Sequence, residues 1–226
     1  MWQRWERLLF LHWEWPPDEL QRILPAGLEL DLFQGRAYLG LIPFAMRGVR
    51  PRFLPPVPGL SDFLEMNVRT YVRDRHGRPG VWFSSLDCNQ PLAVAVARTF
   101  FHLPYFCANM QETIAADGTV CYQVRRWQQP ERAEFLFSPS GEMRAAADGS
   151  LEEFLVERYR LFAARGPRLW SGMVWHLPYR FGPVAVNAWP DLPLRQAGFS
   201  SPSRPPDHAV YAPGVSVAVH PLTPVR

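Results

Sequence analysis

Residues 63–73 read Phe-Leu-Glu-Met-Asn-Val-Arg-Thr-Tyr-Val-Arg and place an acid, an amide, a guanidinium and a phenol at alternate positions: Glu65, Asn67, Arg69 and Tyr71. A strand carries these four on one face, with Phe63 and Arg73. Leu64, Met66, Val68, Thr70 and Val72 fall on the other. If the polar face lines an enclosed space, Glu65 is a candidate general acid or base and Arg69 a bidentate holder of a carboxylate. If it faces water, the same residues are an ordinary ladder of paired charges, and periodicity alone favours this second reading.

Three more residues could join that chemistry. Arg98 sits in an otherwise apolar helical stretch. An ion pair with Glu65 or Asp87 is the first expectation for it and anion binding the second. The Tyr105 phenol could donate a hydrogen bond or a proton to a ligand oxygen, or be a satisfied buried tyrosine. His12 lies in an aromatic run beside Trp13 and Trp15. A core histidine bonded to a backbone carbonyl is expected there, with a place on a cavity wall as the alternative.

Other chemistries lack their residues. All 24 basic side chains are arginine and there is no lysine. A Schiff-base amine must be neutral near pH 7, which a desolvated lysine achieves and a guanidinium does not; the amine of Met1 is the remaining candidate. The six histidines show no H-x-x-x-H or H-x-H spacing, and Cys88, Cys107 and Cys121 form no C-x-x-C pair. Neither a metal site nor a disulfide framework is therefore expected. There is no nucleophile elbow, no G-x-G-x-x-G and no P-loop, so no cofactor is expected. The net charge of +3 is modest, and the basic runs 47–52 and 69–78 are interrupted by prolines or acids. They match no nucleic-acid module, and no nucleic-acid partner is expected.

The elements that must position these residues can be read in outline. Pro17–Leu24 opens with proline and acids and puts Leu20, Ile23 and Leu24 on one helical face, closed by Pro25 and Gly27. A strand follows over Arg36–Phe44. Residues 50–60 hold too many prolines for helix or central strand and read as a long loop. Turn residues 75–80 predict a hairpin pairing the 63–73 strand with Val81–Asp87. Leu92–Phe101 predicts a closely packed helix that Pro104 ends, and 110–116, 119–127 and 131–137 predict meander strands. Ser150-Leu-Glu-Glu153 begins a capping box, predicting a helix to about Ala164 with Leu151, Phe154, Leu155 and Phe162 on one side and Gly166 past its end. The last sixty residues predict short, proline-broken strands. The sum is a mostly β (α+β) protein, mainly antiparallel, with about three helices. It is read as one domain over 1–226, since an apolar fraction of 47% suffices for a sizeable core. Leu8–Leu11 is too short for a signal peptide or a membrane span, so a soluble cytoplasmic protein with no membrane association is expected.

Several motifs together resemble a known family. They are Leu9-Phe10-Leu11-His12-Trp13, Leu24-Pro25-Ala26-Gly27-Leu28-Glu29-Leu30-Asp31, Phe63 through Val72 and Gly80-Val81-Trp82-Phe83-Ser84-Ser85-Leu86-Asp87, followed by Ala97-Arg98 through Leu103-Pro104-Tyr105 and Phe154-Leu155-Val156-Glu157-Arg158-Tyr159. In this order they resemble the YqjF-like bacterial family, a domain of unknown function and a remote relative of the acetoacetate decarboxylase superfamily. That resemblance implies an antiparallel β barrel or cone around a ligand cavity. Superfamily enzymes carry a Gly-Arg-Glu run and then Gly-x-Pro-Lys-Lys, whose first lysine forms the Schiff base. Here Arg98 and Pro104 stay in step while Tyr105 and Phe106 stand at the two lysine positions. The superfamily's acidic catalytic residue is matched most naturally by Glu65.

The resemblance turns the Glu65 face toward a cavity. The leading expectation is then a small-molecule-binding protein for a carboxylate- or carbonyl-bearing ligand, with Arg98, Tyr105, Arg69, Asn67, Tyr71 and His12 as contacts and no Schiff-base decarboxylation. A lysine-independent lyase or isomerase using Glu65 is the alternative. A protein-interaction module, using exposed tryptophans and the proline-rich loop, is the third. Assembly as a homo-oligomer is compatible with all three.

Overall fold

A computed structural model describes residues 1–225. In chain order the elements are β1 (Trp2–Trp15), α1 (Pro17–Arg22), β2 (Leu28–Leu30), β3 (Ala37–Arg50), β4 (Phe63–Asp74), β5 (Pro79–Cys88), α2 (Pro91–Phe100), β6 (Tyr105–Ile114), β7 (Val120–Arg126), β8 (Ala133–Pro139), α3 (Leu151–Val156), β9 (Arg160–Arg165), β10 (Arg168–His176), β11 (Val184–Ala188), α4 (Leu192–Gln196), β12 (His208–Val219) and β13 (Thr223–Pro224).

Strand pairing closes a ring. The order β5-β9-β10-β12-β1-β3-β4 returns to β5 through the β4–β5 hairpin. A second run, β6-β7-β8-β11, leaves the ring at β5. Pairing is antiparallel except where β5 meets β6 and β9, both parallel to it. A closed ring has an inside and an outside, and period-two alternation assigns each residue to one of them. On β4, Phe63, Glu65, Asn67 and Arg69 point inward, while Leu64, Met66 and Val68 join a second core cluster outside it with Tyr122, Phe135, Phe137 and Leu194. On β1 the inward set is Gln3 and Trp5, then Leu8 and Phe10. This change of phase occurs across Arg7, whose φ of 52° marks a bulge.

Both core clusters draw on the same strands. Leu8, Phe10, Ile42, Phe44 and Phe63 belong to one; Leu9, Leu11, Leu39, Leu41 and Leu64 belong to the other. Losing either core strips one face from β1, β3 and β4, so the chain is expected to melt as one cooperative unit. Two separated transitions in scanning calorimetry would contradict that expectation.

The loop over 51–62 and the β4–β5 hairpin lie where the sequence puts them. Two expectations need correction, and a fourth helix joins the roughly three expected. The capping box forms, with Ser150 Oγ accepting from Glu153 N, but α3 ends at Val156 and Phe162 is a buried residue of strand β9. Leu161, Phe162 and Ala163 are consecutive and all buried, as in a strand covered on both faces rather than a one-sided helix. Gly166, at φ 56°, turns the β9–β10 hairpin. The fourth helix, α4, lay hidden among prolines; Pro193 sits in its first turn, where the missing N–H has no helical partner to lose. Finally, α2 does not pack closely: Val94 is its buried residue, and Leu92, Val96 and Phe100 are exposed.

Candidate functional site

The ring encloses a cavity of about 380 Å³, within the usual range of small-molecule sites. Each of the seven ring strands contributes to its wall, from Phe10 of β1 and Phe44 of β3 round to Leu161 of β9, Val174 of β10 and Val219 of β12. The deep lining residues are buried, whereas Pro51, Val57 and Leu60 of the 51–62 loop and Leu92 and Val96 of α2 are exposed. The loop and α2 therefore rim the mouth.

Most of the wall is apolar, and its inward polar groups are concentrated on β4. Glu65 is 4% exposed and accepts a hydrogen bond from the Tyr105 hydroxyl at 2.6 Å. Tyr105 opens β6, whose parallel pairing sets it beside Leu86 on β5 and aims the phenol inward. The Glu65 backbone is held from behind, its carbonyl accepting from Tyr122 Oη at 2.8 Å. Burial pushes the Glu65 carboxyl up to about 7, against the opposing pull of the Tyr105 bond. Burial first, and Glu65 second, push the Tyr105 phenol well above its ordinary value. The pair is thus a carboxyl that titrates near neutrality and a phenol that stays protonated.

Asn67 is the next inward residue, and its Oδ1 is buried without a partner. Arg69 follows, four residues and about 13 Å along the strand from Glu65. Its guanidinium donates to Leu155 O at 3.0 Å, lies over the rings of Phe10 and Tyr71, and leaves Nε buried without a partner. Among the described residues no carboxylate lies within ion-pair distance of Arg69. Arg158, which sequence reasoning missed, also lines the cavity and flanks Tyr71, and it pairs at 2.6 Å with Asp31, an acid shared with Arg73. It sits in the irregular link between α3 and β9, where no periodicity could mark it as inward.

The remaining candidates fall outside the cavity wall. Tyr71 lies beneath the floor, donating to Leu155 O at 2.8 Å, with His12 Nε2 2.7 Å from its hydroxyl. Among the described residues His12 makes no carbonyl bond; its Nδ1 faces His208 Nδ1 at 3.0 Å across the β1–β12 pairing. Burial, then His208 and Arg69, hold the His12 imidazole well below its ordinary value, so it stays neutral. Arg98 is exposed on α2, donating from Nε to Tyr105 O at 2.7 Å, and pairs with neither Glu65 nor Asp87. The partner of Asp87 is Arg126, at 2.6 Å. Met1 lines the cavity and its amine donates to Val219 O at 2.8 Å. Among the described residues no three histidine, cysteine or acidic side chains are grouped to hold a metal, and no helix is long and apolar enough to cross a membrane.

Comparison with known proteins shows the family and the fold. Residues 2–216 match the family model DUF2071, described as an uncharacterized conserved protein. The chain is 39% identical over 178 residues to the uncharacterized protein YqjF of Bacillus subtilis (strain 168), an alignment covering 78% of this chain and 73% of that one. The fold is similar to that of acetoacetate decarboxylase from Legionella pneumophila, with a TM-score of 0.65 at 15% identity over 100% of this chain and 87% of the other. It is also similar to the enduracididine biosynthesis enzyme MppR complexed with pyruvate, with a TM-score of 0.67 at 14% identity over 99% of this chain and 89% of the other. The fold is therefore acetoacetate decarboxylase-like, as the motifs implied.

Proposed function

We propose that this chain, which belongs to the DUF2071 family of uncharacterized conserved proteins, is a small-molecule-binding protein whose central cavity takes a carboxylate- or carbonyl-bearing ligand. The observation that carries this reading is the inward face of β4. Glu65, Asn67 and Arg69 are each less than a tenth exposed, yet they share a roomy, largely apolar cavity. Burying an acid, an amide and a cation is costly unless something binds them, and a solvated ladder or a purely structural wall gains nothing from it. A structural relative complexed with pyruvate supports a small oxo acid as the first ligand to try.

Lysine Schiff-base decarboxylation is not proposed. The position matched to the reactive lysine holds Tyr105, whose phenol forms no imine. Borohydride added with acetoacetate or pyruvate is therefore expected to leave the protein's mass unchanged. A stoichiometric adduct in the intact mass spectrum would overturn this and point to the amine of Met1.

A second reading rests on the Glu65–Tyr105 pair. A carboxyl that titrates near pH 7 beside a protonated phenol is suited to moving a proton at a carbon next to a carbonyl, with Glu65 as base and Tyr105 donating to the carbonyl oxygen. Deuterium exchange into the methyl group of pyruvate, followed by NMR, separates the two readings. Exchange that Glu65→Gln abolishes supports a lysine-independent lyase or isomerase, and its absence leaves the binding protein.

A further inference from the structure

We infer that the ligand is a monoanionic amphiphile, with its acid head near Arg69 at the deep end of the cavity and an apolar body running along the wall toward the mouth. The inference rests on the binding function proposed above and narrows it from small carboxylates in general to acids with an apolar chain or ring.

Charge places the head. The cations lining the cavity are Arg69, Arg158 and Arg160, with the half-buried Arg50, which donates to Gly48 O, and the half-buried Met1 amine, which donates to Val219 O. Arg158 is paired with Asp31, an acid it shares with Arg73, and Arg160 donates to Ser171 Oγ at 3.2 Å beside the Asp74 carboxylate that Arg78 already pairs. Arg69 is 8% exposed, and among the described residues no carboxylate pairs with it. The acid on the same strand, Glu65, lies about 13 Å away and is largely occupied by Tyr105. A buried cation without a counterion is costly, and an anionic head supplies the counterion. Arg158 flanks the same Tyr71 ring and adds to the positive field there.

The lining places the body. Between Arg69 and the mouth the wall is built largely from Leu8, Phe10, Ile42, Phe44, Phe63 and Leu86, with Glu65 and Asn67 as the polar residues of β4 on the same stretch. Acetate or pyruvate would leave this surface uncovered, whereas an alkyl or aryl body would cover it. The mouth extends the apolar path, because Val57, Leu60, Leu92 and Val96 line it while remaining exposed.

The test is titration calorimetry of the whole chain with acetate, pyruvate, octanoate and octanol at pH 8. Each methylene moved into an apolar site strengthens binding by about fourfold. Octanoate is therefore expected to bind at least a hundredfold more tightly than acetate, and at least tenfold more tightly than octanol. Arg69→Met should remove the preference for octanoate over octanol. This variant orphans no carboxylate, and Leu155 O keeps its bond from Tyr71; Arg69→Gln, with unchanged far-ultraviolet circular dichroism, guards against misfolding. Acetate binding as tightly as octanoate would overturn the amphiphile while sparing the carboxylate reading. Octanol matching octanoate, with no effect of Arg69→Met, would overturn the anionic head. Failure of acetate, pyruvate and octanoate alike would remove the proposed function itself, and this inference with it.

Discussion

Replacing Arg126 by Met is expected to lower the unfolding free energy by about 3–5 kcal/mol. Arg126 Nε donates to Asp87 Oδ1 at 2.6 Å and Nη2 to Oδ2 at 3.3 Å, and the same guanidinium reaches Ser85 Oγ and Gln196 O. It also stacks over the Phe106 ring at 4.1 Å. Asp87 is 1% exposed, so removing its partner leaves an uncompensated charge in the wall between the ring and the β6–β8 strands. Burial already raises the Asp87 carboxyl above its ordinary value despite the pull of Arg126. Without that pull it rises further. A group with a raised folded pKa adds stability at low pH and loses it as pH rises through the folded value. The deficit of Arg126→Met should therefore be larger at pH 8 than at pH 5, measured by urea unfolding, and Asp87→Asn added to it should recover part of the loss. A deficit under 1 kcal/mol, or one independent of pH, would show that the pair is not the buried bridge described.

The same pair marks the boundary of what the sequence could reveal. Asp87 plainly needed a partner, and Arg98 was nominated because it lies close in sequence on an apolar stretch. The parallel β5–β6 pairing instead brings β7 to Asp87, and β7 carries Arg126 at its end. A link of 39 residues through two strand pairings leaves no local signature. By contrast, the β4 alternation was fully legible, because strand period and residue type coincide over eleven positions. Whether its polar face met water or a cavity was not legible from β4 alone, since that depends on ring closure by six other strands. Tyr71 was nominated for sharing the face of Glu65 and Arg69, and His12 for its aromatic run beside Trp13 and Trp15. Tyr71 and His12 lie one step beyond the cavity floor, where Arg69 and Arg158 roof over Tyr71. The overlong helix after Ser150 has a related cause: Phe162 continues the helical spacing of Leu151, Phe154 and Leu155 by coincidence, and only its buried neighbours Leu161 and Ala163 reveal a strand.

At pH 8 the Glu65→Gln protein is expected to be more stable than the parent by about 3 kcal/mol, and at pH 4 no different from it. Glu65 titrates in the unfolded chain near the ordinary value of 4.5, whereas burial pushes it up to about 7 in the fold. Between those values the folded state binds a proton that the unfolded chain has released, so the parent loses stability as pH rises through this window. Above about 7 the full cost of an ionised, buried carboxylate is present. Glutamine keeps the shape and still accepts from the Tyr105 hydroxyl, but it carries no charge and so removes that slope. The measurement is the unfolding free energy of both proteins at pH 4, 6 and 8, taken as a difference so that all other titrating groups cancel. A parallel pair of curves would mean that Glu65 has its ordinary acidity, and the acid/base reading of the Glu65–Tyr105 pair would fall with it. Convergence at low pH would instead show that the fold tolerates a destabilising carboxyl at the centre of its cavity. A site for ligand or proton transfer accounts for such a group, whereas a purely structural wall does not.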